Sequence, residues 1–196
     1  KIDYQLDIEA AAALSQSEIG LIPASIAKNI SKIAKSGKIT AKRIKQLEAK
    51  SDHDTAALVE ALAEKCNKES RPWVHYGLTS NDLVDTSNSM QMRDAIKIIQ
   101  PKVSKLSLLL SKNAIKHRSV PAVGRTHGQH ASIISFGLKF ANWAAEMSTH
   151  LERLDEIKKR VLICKTLGVV GTGSLMGKNA VKVQERVAKK LGLYSA

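Results

Sequence analysis

Aromatic residues, prolines and cysteines are all scarce in this sequence, and each shortage narrows the possible classes of protein. The two cysteines, Cys66 and Cys164, lie far apart without CxxC spacing, so we interpret them as reduced thiols and not as a disulfide or a metal site. No apolar run approaches the roughly 20 residues of a membrane-spanning helix. The acidic, amphipathic N-terminal segment does not resemble a signal peptide, and we expect a cytoplasmic protein.

What the sequence does contain is a helix-forming mixture rich in Ala, Leu, Ile, Lys and Ser. Hydrophobic residues make up 43% and charged residues 25% of the 196 residues, which is typical of a folded domain and excludes disorder. The formal net charge of +13 fits a nucleic acid, an acidic partner or an anionic small substrate. Because the basic residues are spread along helical segments without interleaved aromatics, we favour a solvated basic surface over a nucleic-acid-binding one.

Helical spacing of apolar residues runs through nearly the whole chain. Ile26, Ile30 and Ile33 recur at intervals of four and three residues, which predicts a helix with Pro23 in its first turn. Thr40 is expected to cap the next helix, and a third helix follows it. No stretch shows the alternation of a half-buried strand.

Two much longer helical stretches are predicted over residues 80–118 and 132–164, separated by a loop that contains Pro121 and Gly124. Pro101 is expected to kink or divide the first stretch, because proline lacks a backbone donor and clashes with the preceding turn. Helices of this length exceed the usual eleven or twelve residues and need neighbouring helices along their whole length.

These patterns predict an all-α fold. We expect a small helical domain over residues 1–78, followed over residues 79–196 by the first long helices of an extended bundle that forms oligomers. The glycines between Gly168 and Gly177 lack the spacing of a nucleotide-binding loop and are interpreted as a turn before a last helix ending near Leu191.

Four histidines lie in polar clusters associated with loops: His53, His75, His127 and His130. His53 stands between Asp52 and Asp54, and two carboxylates would favour its imidazolium form. His75 is followed by Thr79 and Ser80 at the start of the first long helix.

The hydroxyls of Thr79 and Ser80, with the free N–H groups of a helix start, are suited to binding a carboxylate or phosphate. The alternative is that Ser80 only caps the helix, and spacing alone leaves both interpretations open.

The third cluster lies in the loop between the long helices and contains Arg125, Thr126, His127, Gln129 and His130, flanked by small residues. So many hydrogen-bonding side chains in one glycine-containing loop indicate a site for an anionic ligand, with a histidine that transfers a proton. A metal site is the weaker alternative, because no carboxylate lies nearby and a glycine separates the two histidines.

Residues 75–86, HYGLTSNDLVDT, and 124–131, GRTHGQHA, closely resemble the adenylosuccinate lyase family within the fumarase/aspartase superfamily. Residues 18–23, 53–54 and 165–172 also match family segments, so the resemblance extends over essentially all 196 residues. The GRTH segment alone is shared by fumarase-like relatives, but together with HYGLTS it is specific for this branch.

The resemblance implies cleavage of adenylosuccinate to AMP and fumarate, and of the succinylated aminoimidazole carboxamide ribotide with release of fumarate. Both are anti β-eliminations that break a C–N bond, and the family uses no cofactor and no metal. It also implies a cytoplasmic homotetramer in which each active site combines segments of different subunits.

The resemblance further implies a role for each matching residue. His127 matches the general acid, His53 a histidine that supports it or the nucleotide, and His75 a third active-site histidine. Thr79 and Ser80 match the hydroxyls that hold the succinyl carboxylates. The remaining predicted substrate-binding residues are Asp54, Arg125, Thr126 and Gln129.

The sequence departs from the family pattern in ways that matter for activity. The family's catalytic base is a serine on a flexible loop, and this loop is absent from the sequence. The Arg-Tyr phosphate-binding segment upstream of Lys1 is absent as well. Thr55 stands where the family often has Val. We therefore expect a part of a longer enzyme that is inactive alone. The alternatives are another lyase of the superfamily, acting on argininosuccinate or fumarate, and an inactive helical oligomerisation fragment.

Overall fold

The computed structural model describes all residues from 1 to 196, and the predicted all-α fold is confirmed. The helices are α1 (Ile2–Glu18), α2 (Ala24–Ala34), α3 (Ala41–Ser51), α4 (Asp54–Lys65), α5 (Ser80–Lys116), α6 (Phe136–Val161) and α7 (Ala180–Leu191). The strands are β1 (Pro121–Thr126), β2 (Gln129–Ser135), β3 (Ile163–Cys164) and β4 (Tyr194–Ser195). Short 3₁₀ turns cover Arg71–Trp73 and Ser174–Asn179. None of the helices is long and apolar enough to cross a membrane.

The chain forms two compact units. The first contains residues 1–92 and 161–196, and the second contains residues 93–160. This division differs from the expected one at residue 78, because the last 36 residues return to pack on the N-terminal helices and α5 begins inside the first unit. The boundary at 78/79 between family domains stays a prediction.

The core of the first unit is built around α1, which packs against α2 and α7. Leu6, Ile8 and the alanine run Ala10–Ala13 are all buried, and the small alanines allow the neighbouring helices to approach closely. Polar residues of α1 are buried as well, among them Glu9 and Gln16. Because α1 is enclosed by other elements, its sequence does not show one apolar stripe and one polar face, contrary to the amphipathic interpretation of this segment.

The predicted helices over residues 23–65 are confirmed, and their starts have identifiable caps. The Thr40 hydroxyl accepts a hydrogen bond from the Arg43 N–H at 3.2 Å, as expected for the cap of α3. Pro23 precedes the first helical residue of α2 with an extended backbone, so it lies one position before the expected first turn. The cap of α4 is His53, whose Nδ1 accepts from the Ala56 N–H at 3.3 Å.

The loop predicted between the long helices is an antiparallel β-hairpin, and the prediction was wrong here. β1 pairs with β2 from Pro121↔Ser135 to Thr126↔Gln129. The strands are exposed on most of both faces, so they lack the alternation of apolar and polar residues that marks a half-buried strand. His127 and Gly128 form a two-residue turn with positive φ at both positions, which is typical of tight hairpins.

The first long helix is not divided at Pro101, because α5 continues as one helix from Ser80 to Lys116. A single proline removes one backbone hydrogen bond, and the bonds on either side maintain the helix. In the second unit, Gly137 lies directly against the backbone of Ala114 and Arg118, where a Cβ atom would overlap. This glycine therefore permits the close approach of the start of α6 to the end of α5.

The two cysteines are buried, but neither lies inside a helix. Cys66 follows α4 and Cys164 belongs to β3. Burial raises the pKa of the Cys66 thiol to about 11 and that of the Cys164 thiol to about 12. Both side chains are therefore neutral thiols at physiological pH.

Candidate functional site

The first unit contains an open cleft of about 440 Å³ between the start of α4, the segment 74–79 and the start of α5. Its lining consists of His53, Thr55, Ala56, Val59, Glu60, His75, Leu78, Thr79 and Ser80. Four of the predicted site residues therefore meet at one surface: two histidines and two hydroxyl residues.

Glu9 of α1 binds His75 twice and holds it in an unusual conformation. Oε2 of Glu9 accepts the His75 backbone N–H at 3.0 Å, and Oε1 lies 2.5 Å from His75 Nδ1. His75 has a φ of +65°, in the left-handed region that costs a residue with a side chain about 1 kcal/mol or more. The double contact stabilises this conformation and directs the ring to the cleft.

The sequence patterns do not single out Glu9, although a signal for it exists. Glu9 is only 2% exposed, and it precedes four alanines in a helix that is otherwise apolar at this point. A carboxylate in such a segment needs a partner, because an unpaired buried charge is costly. The partner itself lies 66 residues further along the chain and is not visible from local sequence.

The environment of His75 favours its charged form. Burial alone lowers the pKa of the imidazole, but the hydrogen bond and charge of Glu9, with the charge of Asp82, outweigh burial and raise the pKa above its ordinary value. A protonated ring donates from both nitrogens. With Nδ1 bound to Glu9, Nε2 remains for a ligand in the cleft.

A second side chain of α1 holds the same segment. Gln16 Nε2 donates to the Tyr76 carbonyl oxygen at 2.6 Å, and Gly77 follows with a φ of +73°. A Cβ at Gly77 would touch Met176, and one at Gly168 would lie 3.1 Å from the Gly77 carbonyl oxygen. Glycines in both segments thus allow the loop of residues 168–177 to pack against the segment that carries His75.

Asp82 organises the start of α5. One of its oxygens, Oδ2, accepts the Thr79 N–H at 3.1 Å and the Gly168 N–H at 2.9 Å. Burial raises the pKa of this carboxyl, and the two N–H donors counteract that effect without reversing it. The loop of residues 168–177 is thereby joined to the helix start that faces the cleft.

The hydroxyls of Thr79 and Ser80 take part in no hydrogen bond within the chain. Both residues are half-buried and line the cleft, while Ser80 is the first helical residue of α5 and not its cap. The Ser80 hydroxyl accepts no backbone N–H of α5, so no cap hydrogen bond supports the interpretation of Ser80 as only a capping residue, and it is Asp82 that binds the N–H of Thr79. Two hydroxyls remain for an anionic group near His75 Nε2.

His53 lines the cleft, but its ring also forms a hydrogen bond that caps α4. Its Nδ1 accepts the Ala56 N–H and lies 3.8 Å from Asp54 Oδ1, so the ring takes part in the start of α4. The expected imidazolium between two carboxylates stays a prediction. Asp54 is exposed and lies beside the cleft, where its Oδ1 accepts the Thr55 N–H at 2.6 Å and its Oδ2 lies 3.7 Å from Lys1 Nζ.

The other predicted site residues all lie in the hairpin of the second unit and are exposed: Arg125, Thr126, His127 and Gln129. His127 occupies the tip of the hairpin with a φ of +51°. Nη2 of Arg125 lies 3.2 Å from Nε2 of His130 across the two strands. An imidazole at such a tip is accessible for proton transfer to a bound molecule, and no contact within the chain occupies it.

Known proteins have a similar fold and related sequences. The crystal structure of a fumarate lyase from Mesorhizobium sp. BNC1 matches with a TM-score of 0.92 and 31% identity, over 99% of this chain and 46% of that one. The fold is therefore that of a helical lyase. The sequence family described as lyase matches residues 2–196, and the chain belongs to this family.

Curated relatives in the family include enzymes with different names. An adenylosuccinate lyase from Methanocaldococcus jannaschii is 44% identical over 98% of this chain and 42% of its own length. An N-acetyl-S-(2-succino)cysteine lyase from Enterococcus italicus is 38% identical over 98% of this chain and 42% of its own length. The chain thus spans less than half the length of these relatives. The resemblance inferred from the two histidine motifs is confirmed.

Proposed function

We propose that this chain contributes to the active site of an adenylosuccinate lyase. Such an enzyme cleaves adenylosuccinate to AMP and fumarate, and the succinylated aminoimidazole carboxamide ribotide with release of fumarate. The observation that carries the proposal is the cleft in which His75, Thr79 and Ser80 meet, within a chain 44% identical to an enzyme of that name.

The cleft suits the dianionic succinyl arm of these substrates. Two unoccupied hydroxyls and an imidazole whose charged form is favoured offer three donors to a carboxylate, and donors to charged acceptors form the stronger hydrogen bonds. Holding the carboxylate adjacent to the acidic C–H also stabilises the negative charge that develops when the proton leaves.

The elimination also needs an acid and a base. In the proposal, His127 protonates the departing nitrogen, and its exposed position at the hairpin tip leaves the ring accessible. Arg125, Thr126, Gln129 and Asp54 contribute substrate contacts. We assign the base to no residue of this chain.

The proposal includes a cytoplasmic homotetramer that works without a cofactor and whose active sites combine residues of different subunits. Support for association comes from the second unit, whose helices expose many large apolar side chains. Such surfaces are unusual on monomers and are typical of interfaces.

A second candidate is a lyase that removes fumarate from a succinylated thiol. The observation in its favour is the 38% identity to the N-acetyl-S-(2-succino)cysteine lyase. Both candidate substrates carry a succinyl group, so the carboxylate donors of the cleft serve either one. They differ in the leaving atom, which is nitrogen in one and sulfur in the other.

The deciding experiment measures fumarate release from purified protein of known intact mass. The mass is compared with the 21.3 kDa of this chain, and the protein is then offered adenylosuccinate, N-acetyl-S-(2-succino)cysteine and argininosuccinate in parallel. Fastest cleavage of adenylosuccinate supports the first candidate, and cleavage of the thioether alone supports the second. Release from argininosuccinate alone contradicts both.

A further inference from the structure

Glu9 lies behind the cleft, on a helix that contributes no side chain to the cleft lining. It belongs to α1, it is buried, and both of its oxygens contact the same residue, His75. A neutral side chain of the same shape could accept the backbone N–H equally well. Only a carboxylate also balances a positive charge on the ring, and a buried carboxylate is costly without such a partner.

The second nitrogen of the ring is the one available to a ligand. Glu9 occupies Nδ1, while Nε2 has no hydrogen-bond partner within the chain. The side chain of His75 is 21% exposed, and the residue lines the cleft together with Thr79 and Ser80.

We propose that Glu9 is a positioning residue for this site. Its carboxylate fixes the backbone and the ring of His75 together and keeps the ring protonated, so that Nε2–H serves as a charged donor to an anionic group in the cleft. The class of ligand is a carboxylate or a phosphate. This inference rests on the proposed function only for the identity of the substrate that carries the anion.

Other charged or titratable groups near His75 either act in the same direction or make no hydrogen bond to its ring. Asp82 of α5 adds a second negative charge that favours the protonated ring, and its own charge is partly balanced by Lys165. Glu60 and His53 of the α4 region line the same cleft. Of these groups, only Glu9 touches the ring.

The test follows the ring of His75 by NMR in the purified protein and in the variant Glu9→Gln. In the unsubstituted protein we expect the midpoint of the His75 titration above 6.5 and both ring nitrogens protonated at pH 7. In Glu9→Gln the carboxylate is lost while burial and the charge of Asp82 remain, so the midpoint is expected to fall relative to the unsubstituted protein. Glu18→Gln is the matched control, because it removes an equal charge from α1 at a residue bound to Arg186 and Lys190.

Two anions identify the chemistry that the donor recognises. Succinate and inorganic phosphate are titrated separately, and the one that shifts the His75 signals at the lower concentration identifies a carboxylate or a phosphate subsite. We expect Glu9→Gln to weaken that binding by roughly tenfold or more, which is typical for loss of a charge-assisted hydrogen bond, and Glu18→Gln to leave it unchanged.

Two results for His75 would contradict the proposed role of Glu9. An unchanged His75 midpoint in Glu9→Gln overturns it, and so does the absence of a response of His75 to both anions. If Glu9→Gln does not fold, the unsubstituted protein decides: a neutral His75 at pH 7 contradicts the proposal. None of these readouts uses turnover, so a failed lyase assay leaves the result for Glu9 standing.

Discussion

Glu9 and His75 are coupled in proton binding as well as in geometry, and this makes folding stability depend on pH. Because the pKa of His75 is raised in the folded state, the folded chain holds a proton that the unfolded chain releases. Its contribution is fully present below the ordinary pKa of about 6.5 and is lost as pH rises through the folded-state pKa.

We therefore expect the melting temperature to fall less between pH 6 and pH 8.5 in Glu9→Gln than in the unsubstituted protein. Circular dichroism melts across this range measure the difference. Glu18→Gln serves again as the control, because Glu18 does not contact His75. Parallel curves for the unsubstituted protein and Glu9→Gln would show that His75 is not the linked group.

His127 is the residue on which the proposed proton transfer depends. In the active protein, His127→Ala is expected to lower turnover by a factor of roughly 100 or more, in the range of general-acid contributions. His150→Ala, at a half-buried histidine on α6, should leave turnover near normal. Steady-state assays with adenylosuccinate measure both variants, and near-normal turnover of His127→Ala would remove the residue from the mechanism.

At the scale of single elements, the start of α3 depends on one hydroxyl. Thr40→Ala removes the acceptor of the Arg43 N–H and is expected to lower the free energy of unfolding by about 1 kcal/mol. Thr40→Ser keeps the acceptor and should lose only a fraction of that. Chemical denaturation of both variants measures these free energies of unfolding. Equal decreases in the two variants would mean that the methyl group of Thr40, and not its cap hydrogen bond, stabilises the helix start.

The loop of residues 168–177 depends on glycine for two separable reasons. Gly173 and Gly171 both have positive φ, but only at Gly173 would a Cβ overlap Ala180, while Gly171 faces open space. Gly171→Ala therefore carries the backbone strain alone, about 1 kcal/mol. Gly173→Ala adds an overlap at the start of α7 and is expected to cost about 2 kcal/mol more.

Chemical denaturation of the two glycine variants in parallel gives this difference directly. The loop also joins the start of α5 through Asp82, so Gly173→Ala is expected to disturb the cleft, visible as shifted His75 signals in NMR spectra. Equal stabilities of the two variants would show that the loop moves freely to relieve the overlap.

At the scale of the whole molecule, the second unit exposes many large apolar side chains to solvent, which is unfavourable for a chain that remains a monomer. They include Ile98, Ile99, Leu106, Leu108, Leu109, Ile115, Ile133, Leu138 and Trp143. Apolar surface of this extent is normally covered, and in symmetric oligomers it is generally copies of the same chain that cover such surfaces.

We expect the protein to sediment as an oligomer. Leu108→Glu combined with Ile115→Glu should dissociate it, because two buried charges without partners are costly at an interface. Lys45→Glu, at an exposed residue of α3 in the first unit, changes the net charge by the same two units and is the control for charge. Sedimentation velocity measures the state, and a monomer in the unsubstituted protein would contradict the expected association.

Much of the helical fold is predictable because its signals are local. Ile26, Ile30 and Ile33 mark one face of α2, and Thr40 marks the start of α3. The His75 and His127 motifs likewise identify the family from contiguous residues. Such signals act within one or two turns of helix, so they can be recognised without knowledge of the tertiary packing of the helices.

The hairpin and the contacts of the histidines were not predictable in this way. β1 and β2 are held by cross-strand hydrogen bonds and not by a buried face, so their side chains carry no alternation. His53 is a helix cap because of the geometry at the start of α4, a role that its acidic neighbours in the sequence did not indicate. In both places backbone hydrogen bonding decided the outcome.

The sequence by itself therefore determined most of the helices, the Thr40 cap, the two histidine motifs and the family. The tertiary structure alone decided that Glu9 faces His75, that Asp82 binds the 168–177 loop and that residues 161–196 return to the N-terminal unit. The physical reason is that helix periodicity and capping depend on neighbours a few residues apart. A buried carboxylate, by contrast, is satisfied by whatever the packed core brings to it, which here lies 66 residues away.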